Sequence, residues 1–237
     1  VARAGAHAKG KRLFEYLAEL KGNDDPLKMP IPMMNIINGG KHAGMDNDIQ
    51  EHMIVPKGDN TFKNNLEICN DVYFELSESL KRDYGPQSTL LGDEGGFAPN
   101  LANTEDALTA ILTAIERAGY TPGEDIVIAL DVAASELFDR EKKVYRLEGE
   151  GRSLESGEMV EWYSDLCRRY PIASIEDGMS EDDWEGWVML TGQLGDKVQL
   201  VGDDLLVTQV PRIERAIRAK AANAVLIKLN QVGSLSE

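Results

Sequence analysis

Cysteine is scarce in this chain of 237 residues: there are two, Cys69 and Cys167. Neither has a partner at metal-ligand spacing, and two in a chain this long do not make a disulfide framework. Aromatic residues are few, at 6%, and basic residues are outnumbered, 25 against 41 acidic ones, for a formal net charge of −16. That balance excludes a nucleic-acid backbone or an anionic membrane surface as the main partner. No apolar run approaches the ~20 residues that a membrane-spanning helix needs. The sequence starts at Val1 without a basic-then-apolar leader and stops in mid-pattern at Glu237, so an internal segment of a longer cytoplasmic protein is expected. No internal repeat and no low-complexity tract stands out.

What is present is ample core material, with 42% hydrophobic residues. Runs rich in Val, Ile and Leu alternate with helical periodicity, which is the trace of β/α units around a buried parallel sheet. Four runs stand out: Ile126 to Asp131, Ile172 to Asp177, Val198 to Asp204 and Ala224 to Lys228. Helical stripes lie between them, one holding Leu108, Ile111, Leu112 and Ile115, capped at Asn103 or Thr104 and closed by Gly119. Earlier, Met33 to Ile37 and His52 to Val55 have no room between them for a crossover helix and are expected to pair antiparallel. Residues 1–21 read as one Ala-rich helix, 62–80 as a long helix, and Phe138 to Leu147 as a small hairpin. The domain reading is 1–28 as the end of an N-terminal domain with its linker, and 29–237 as a barrel domain.

In a β/α barrel the chemistry gathers at the C-terminal ends of the strands. Here those ends carry Asp131, Glu176 with Asp177, Asp203 with Asp204, and Lys228. Carboxylates from three strands on one rim repel each other unless they hold protons or a cation. Oxygen donors in that number suit Mg²⁺. One member of each acidic pair can point into the rim, and the sequence alone does not choose which. Lys228, beside a dication, would have its ammonium form disfavoured and become a usable base. A second focus is Gly92-Asp93-Glu94-Gly95-Gly96, where glycines permit a close backbone approach around two acids. A third is the glycine-rich loop from Gly39 to Gly44, which carries His42.

These residues resemble the enolase family, and a bacterial-type member in particular. The resemblance rests on Pro32 to Gly40 (PMMNIINGG), Asp48 to Glu51 (DIQE), Gly92 to Asn100 (GDEGGFAPN), Ser174 to Gly178 (SIEDG), Val201 to Leu205 (VGDDL) and Leu226 to Gln231 (LIKLNQ), in family order over nearly the whole length. It implies an α/β fold: an enolase-type β/α barrel whose first two strands are antiparallel, preceded by the last helix of an α+β N-terminal domain. It implies an incomplete barrel with about six of eight strands, lacking the phosphate clamp of the last two, so that this stretch alone would be inactive.

The resemblance also implies a function: a Mg²⁺-dependent hydro-lyase of glycolysis, phosphopyruvate hydratase, which reversibly dehydrates 2-phosphoglycerate to phosphoenolpyruvate. By match to the motifs, Asp131, Glu176 and Asp203 would hold the first of two Mg²⁺ ions. Lys228 would be the base and Glu94 the acid. Gln50, Glu51 and His42 would contact substrate along with Lys228. The partner would be a small phosphorylated carboxylate, with no nucleic acid and no membrane span, in a cytoplasmic homo-oligomer, dimer or higher; some relatives are also displayed on the surface or secreted. Two other readings are another carboxylate dehydratase or racemase of the superfamily, and an enolase-like binding scaffold. Superfamily racemases carry a Lys-x-Lys triplet at a strand end, whereas the one here, Lys9-Gly10-Lys11, lies near the start. At Asn47 and His52 the sequence departs from the apolar and aromatic residues usual for the family.

Overall fold

The computed structural model describes residues 1–23, 25–40, 47–58, 60–101 and 103–234. Contacts divide the chain into two units, one of Val1–Pro30 with the segment from Val232, the other Ile31–Gln231. In the first unit the single helix expected over 1–21 is two: α1 (Ala2–Ala8) and α2 (Leu13–Lys21). Gly10 adopts φ +62 between them, a left-handed conformation that ends a helix at little cost when the residue has no Cβ. The two helices then pack side by side, so closely that a Cβ on Gly5 would lie 2.6 Å from the Tyr16 hydroxyl.

The second unit is built on a six-stranded sheet. Its strands are β1 (Met34–Asn38), β2 (Glu51–Pro56), β3 (Ile126–Asp131), β7 (Ile172–Glu176), β8 (Gln199–Gly202) and β9 (Ala224–Val225), adjacent in that order. β2 runs antiparallel to both β1 and β3, as expected of the first pair, and the strands from β3 onward are parallel. The result is an incomplete β/α barrel with β1 and β9 at its edges. The run expected to reach Lys228 as strand is shorter, ending at Val225, although the Leu226 amide still donates to the Gly202 carbonyl at 3.1 Å. Beyond it Ile227 is 59% and Leu229 89% exposed, because nothing among the described residues pairs with the outer side of β9.

Helices cover the sheet through apolar stripes. α3 (Phe62–Tyr84) buries Cys69, Val72, Leu76 and Leu80, and α4 (Thr104–Arg117) buries Ala107, Leu108, Ile111 and Ile115. Each begins at a side-chain cap: the Thr61 hydroxyl accepts from the Asn64 amide, and Asn103 Oδ1 accepts from the Asp106 amide at 2.9 Å. α5 (Ser156–Arg169), α6 (Trp184–Leu194) and α7 (Val210–Ala219) are the crossover helices that make the later strands parallel. The expected hairpin gains a third strand, so that β4 (Phe138–Asp139), β5 (Val144–Leu147) and β6 (Arg152–Leu154) form a small separate sheet. Among the described residues no helix is long and apolar enough to cross a membrane.

Candidate functional site

Strand register brings the acids together. Glu51 on β2 lies opposite Asp131 on β3, and Asp131 lies opposite Glu176 on β7. Adjacent strands are about 4.8 Å apart, so three carboxylates stand side by side across the sheet. Because β2 runs against its neighbours, its first residue, not its last, reaches the rim where β3 and β7 end. The next position in the row is Val201 on β8, and Asp203 follows two residues later, on the same face. Asp131 and Asp203 are 7% and 6% exposed.

The register also settles the first acidic pair. Glu176 stays in the row, whereas Asp177 turns back at φ +41 and accepts the amides of Asp203 at 3.0 Å and Asp204 at 2.8 Å. Asp177 therefore fixes the turn that presents Asp203. Of the second pair Asp203 is buried and Asp204 exposed. Left-handed non-glycine residues follow each strand end: Ala133 after Asp131, Asp177 after Glu176, and Val207 with Thr208 after Asp203. Backbone strain of this kind gathers where a rim must aim side chains.

Electrostatics record the crowding. Burial raises Glu176 to about 8, with further contributions from the charges of Asp131, Asp177 and Asp203. Burial likewise raises Asp131 to about 6, against the Ala133 amide and the Gln50 side chain, which donates to Asp131 Oδ2 at 3.0 Å. Asp177 is pushed up to about 7 by burial, opposed by the two amides that it accepts. Glu51 rises well above the ordinary carboxylate range through burial, a hydrogen bond with Glu94 and the charge of Asp131. These are oxygen donors that gain from a cation, and the set fits a hard dication such as Mg²⁺. The carboxylates of Asp177, Asp203 and Asp204 also approach within 4.8 Å of one another and can hold a metal ion. In that trio Asp177 faces the amides of Asp203 and Asp204 with its two oxygens, and Asp204 is exposed.

Lys228 sits at the far end of the row with its ammonium on Asp203 Oδ2, while Gln231 Nε2 donates to Oδ1 at 2.8 Å. Burial disfavours the ammonium, yet the hydrogen bond and charge of Asp203, with Glu176 and Asp204, outweigh it and the pKa is raised. The lowering expected from the sequence required a dication beside the amine, a charge additional to these groups. Glu94 occupies the other end, on an exposed turn. That turn is pinned to β1: the Asn38 amide donates to the Phe97 carbonyl at 2.8 Å and the Phe97 amide to Ile36 at 2.9 Å. A Cβ on Gly92 would lie 2.7 Å from Asn38 Cβ, and one on Gly96 2.7 Å from Asn38 Oδ1, so both glycines are needed for this approach. Tyr73 completes the anchor by donating to the Gly95 carbonyl at 2.8 Å.

Thus Gln50, Glu51, Glu94, Asp131, Glu176, Asp203 and Lys228 converge on one rim; His42 lies outside the described residues. Sequence reasoning passed over Thr208 and Gln231, which hold Asp203 and Lys228, and over the buried amides of Asn35 and Asn38. Polar residues inside otherwise apolar strand runs were the signal for the last two.

A family model described as "Enolase, C-terminal TIM barrel domain" matches residues 26–237. This match agrees with the incomplete β/α barrel of the second unit. The chain belongs to the enolase family, through its C-terminal TIM-barrel domain.

Proposed function

We propose that the protein is a Mg²⁺-dependent hydro-lyase that interconverts 2-phosphoglycerate and phosphoenolpyruvate, a bacterial-type enolase acting in the cytoplasm as a homo-oligomer. The observation that carries the reading is the row itself: a lysine at one end, Glu51 at the other, and acids between. Asp131, Glu176 and Asp203 hold the dication in this reading. When bound, it supplies positive charge to offset the second negative charge that builds on the substrate carboxylate.

The chain's own groups do the rest. Lys228, as the free amine, takes the proton from the carbon next to the carboxylate. Glu94, with Glu51 assisting at that end, gives a proton to the departing hydroxyl. Gln50 orients Asp131 through its hydrogen bond and presents its remaining amide atoms to substrate, with His42 assigned to the same task. The part of the chain before residue 29 is assigned to an N-terminal domain. The racemase reading has no support at Lys9 and Lys11, which both pair with Glu19 at 2.7 Å in the first unit.

The test is Mg²⁺-dependent dehydration of 2-phosphoglycerate by the full-length protein. Lys228→Ala is expected to lose at least about 100-fold in kcat. A wild-type protein that folds and binds Mg²⁺ but leaves 2-phosphoglycerate untouched would refute the reading.

A further inference from the structure

We infer that Thr208 and Gln231 are positioning residues that lock the base and a metal-ligating carboxylate into one hydrogen-bonded ring; this rests on the hydro-lyase reading above. The ring can be followed by its donors. The backbone amide of Lys228 donates to Thr208 Oγ1 at 3.0 Å. The Thr208 hydroxyl donates to Gln231 Oε1 at 2.7 Å, with the Leu226 carbonyl farther off at 3.4 Å. Gln231 Nε2 donates to Asp203 Oδ1 at 2.8 Å, and Asp203 Oδ2 receives the Lys228 ammonium. The ring therefore begins at the backbone of Lys228 and closes through its own side chain.

Its polarity is forced. A hydroxyl has one proton to give. The Asp203 carboxylate can only accept, so the Gln231 oxygen is left to face Thr208, which accepts from Lys228 and spends its one proton on that oxygen. The NH₂ group then has to face Asp203, which fixes the plane of a carboxylate that would otherwise rotate. Without the Thr208 hydroxyl the Gln231 oxygen loses its donor and the amide is held at its Asp203 end alone, so the carboxylate is no longer fixed.

The backbone points the same way. Val207 and Thr208 take φ +43 and +56 in succession, conformations that are unfavourable for β-branched residues. Such a conformation persists when surrounding contacts over-determine it. Here those contacts are the ones that Thr208 makes to the base and to Gln231, and the Asp203 carbonyl helps by accepting the Val207 amide at 2.7 Å. Groups that orient metal ligands from behind are worth about 10–100-fold in metal affinity or activity.

The experiment compares Thr208→Val, which keeps the shape and deletes the hydroxyl, with Thr208→Ser, which keeps the hydroxyl. Steady-state kinetics on 2-phosphoglycerate are paired with Mn²⁺ binding, read from the free-ion signal in electron paramagnetic resonance. Thr208→Val is expected to lose about tenfold or more in kcat with KM within about threefold, and to bind Mn²⁺ about tenfold more weakly. Thr208→Ser is expected to restore both to within about threefold of wild type. Wild-type values in Thr208→Val, or equal damage in the two variants, overturn the inference. Should Thr208→Val fail to fold, Gln231→Met takes its place: about tenfold weaker Mn²⁺ binding at an unchanged melting temperature supports the ring, and wild-type affinity overturns it. If the wild type binds Mn²⁺ but does not dehydrate 2-phosphoglycerate, the functional reading falls and the Mn²⁺ comparison still decides the ring. An active wild type with unaffected variants removes the ring alone.

Discussion

Glu51, the first residue of β2, lies directly opposite Asp131, the last residue of β3. Two carboxylates in register repel unless one keeps a proton. Burial of Glu51 and the nearby charge of Asp131 keep that proton in place well above the ordinary carboxylate range. The rim thus keeps a bound proton at one end and a lysine at the other.

This separation predicts that proton abstraction and loss of hydroxyl can be uncoupled. Glu94→Gln removes the donor at one end and leaves Lys228 on Asp203 untouched. Dehydration is expected to fall about 10²–10⁴-fold, while exchange of the substrate's carbon-bound proton with deuterated solvent continues. Lys228→Ala is expected to abolish both. The check is NMR of 2-phosphoglycerate in D₂O with Mg²⁺. Exchange that vanishes in Glu94→Gln but survives in Lys228→Ala would reverse the two roles.

The metal-free protein is expected to lose stability as the pH rises from 6.5 to 8.5. Glu176 holds its proton to about 8 and Asp177 to about 7 when folded, whereas unfolded chains release such protons near the ordinary values of 4.5 and 3.8. Across that interval the folded state binds more protons, so stability falls with rising pH. Mg²⁺ reverses the trend by replacing the protons as the compensating charge. Melting temperatures at the two pH values, with EDTA and with Mg²⁺, provide the measurement: a drop of at least about 5 °C is expected in EDTA only, and a smaller one for Glu176→Gln. A metal-free melting temperature that climbs over the same range contradicts the crowding described for the rim.

How much of this was legible in the sequence depended on direction and spacing. The parallel strand ends announced themselves, because an apolar run that stops at an acid has an orientation in a β/α fold. Glu51 gave no such signal by itself. It reaches the rim because β2 runs antiparallel to β3 as well as to β1; the short connection announced the first pairing, and nothing local announced the second. Between Glu176 and Asp177 only the family resemblance chose, since the physical choice turns on the left-handed backbone at Asp177 and on amides that belong to the next strand's turn. The helix read through residues 1–21 failed for a local reason: alanine-rich periodicity hid a break at Gly10.

His52 supplies a pH effect of the opposite sign. It is fully buried on β2, opposite Leu130 and Ile37, and burial pulls its pKa down to about 4, with the Ile37 backbone acting the other way. Between pH 6.5 and 4 the unfolded chain takes up a proton that the folded imidazole refuses. Its contribution to stability is present above 6.5 and is lost as pH falls toward 4. His52→Phe is therefore expected to gain on wild type by about 2 kcal/mol between pH 7 and pH 5, or about 4–8 °C in relative melting temperature. Taking the difference between the two proteins at each pH cancels the carboxylates common to both. A constant difference across that range would mean that His52 titrates normally.

Asp48 tests whether the stem beneath Glu51 is held from outside the sheet. Its two carboxylate oxygens accept the amides of Gly149 and Glu150, each at 3.1 Å, and Glu150 in turn accepts the Thr104 amide at the start of α4 at 3.0 Å. One buried carboxylate thereby ties the approach to β2, the turn after β5 and the first turn of a helix. Asn at position 48 has one acceptor where two are needed, and its NH₂ group would face a backbone N–H. Hydrogen bonds to a charged acceptor contribute about 1.5–3 kcal/mol each, so Asp48→Asn is expected to lower stability by about that amount. Glu150→Gln keeps an acceptor for Thr104 and is expected to change stability by less than about 0.5 kcal/mol. Urea unfolding of the two variants measures both values. Equal stabilities for Asp48→Asn and wild type would show that the stem stands without this clamp.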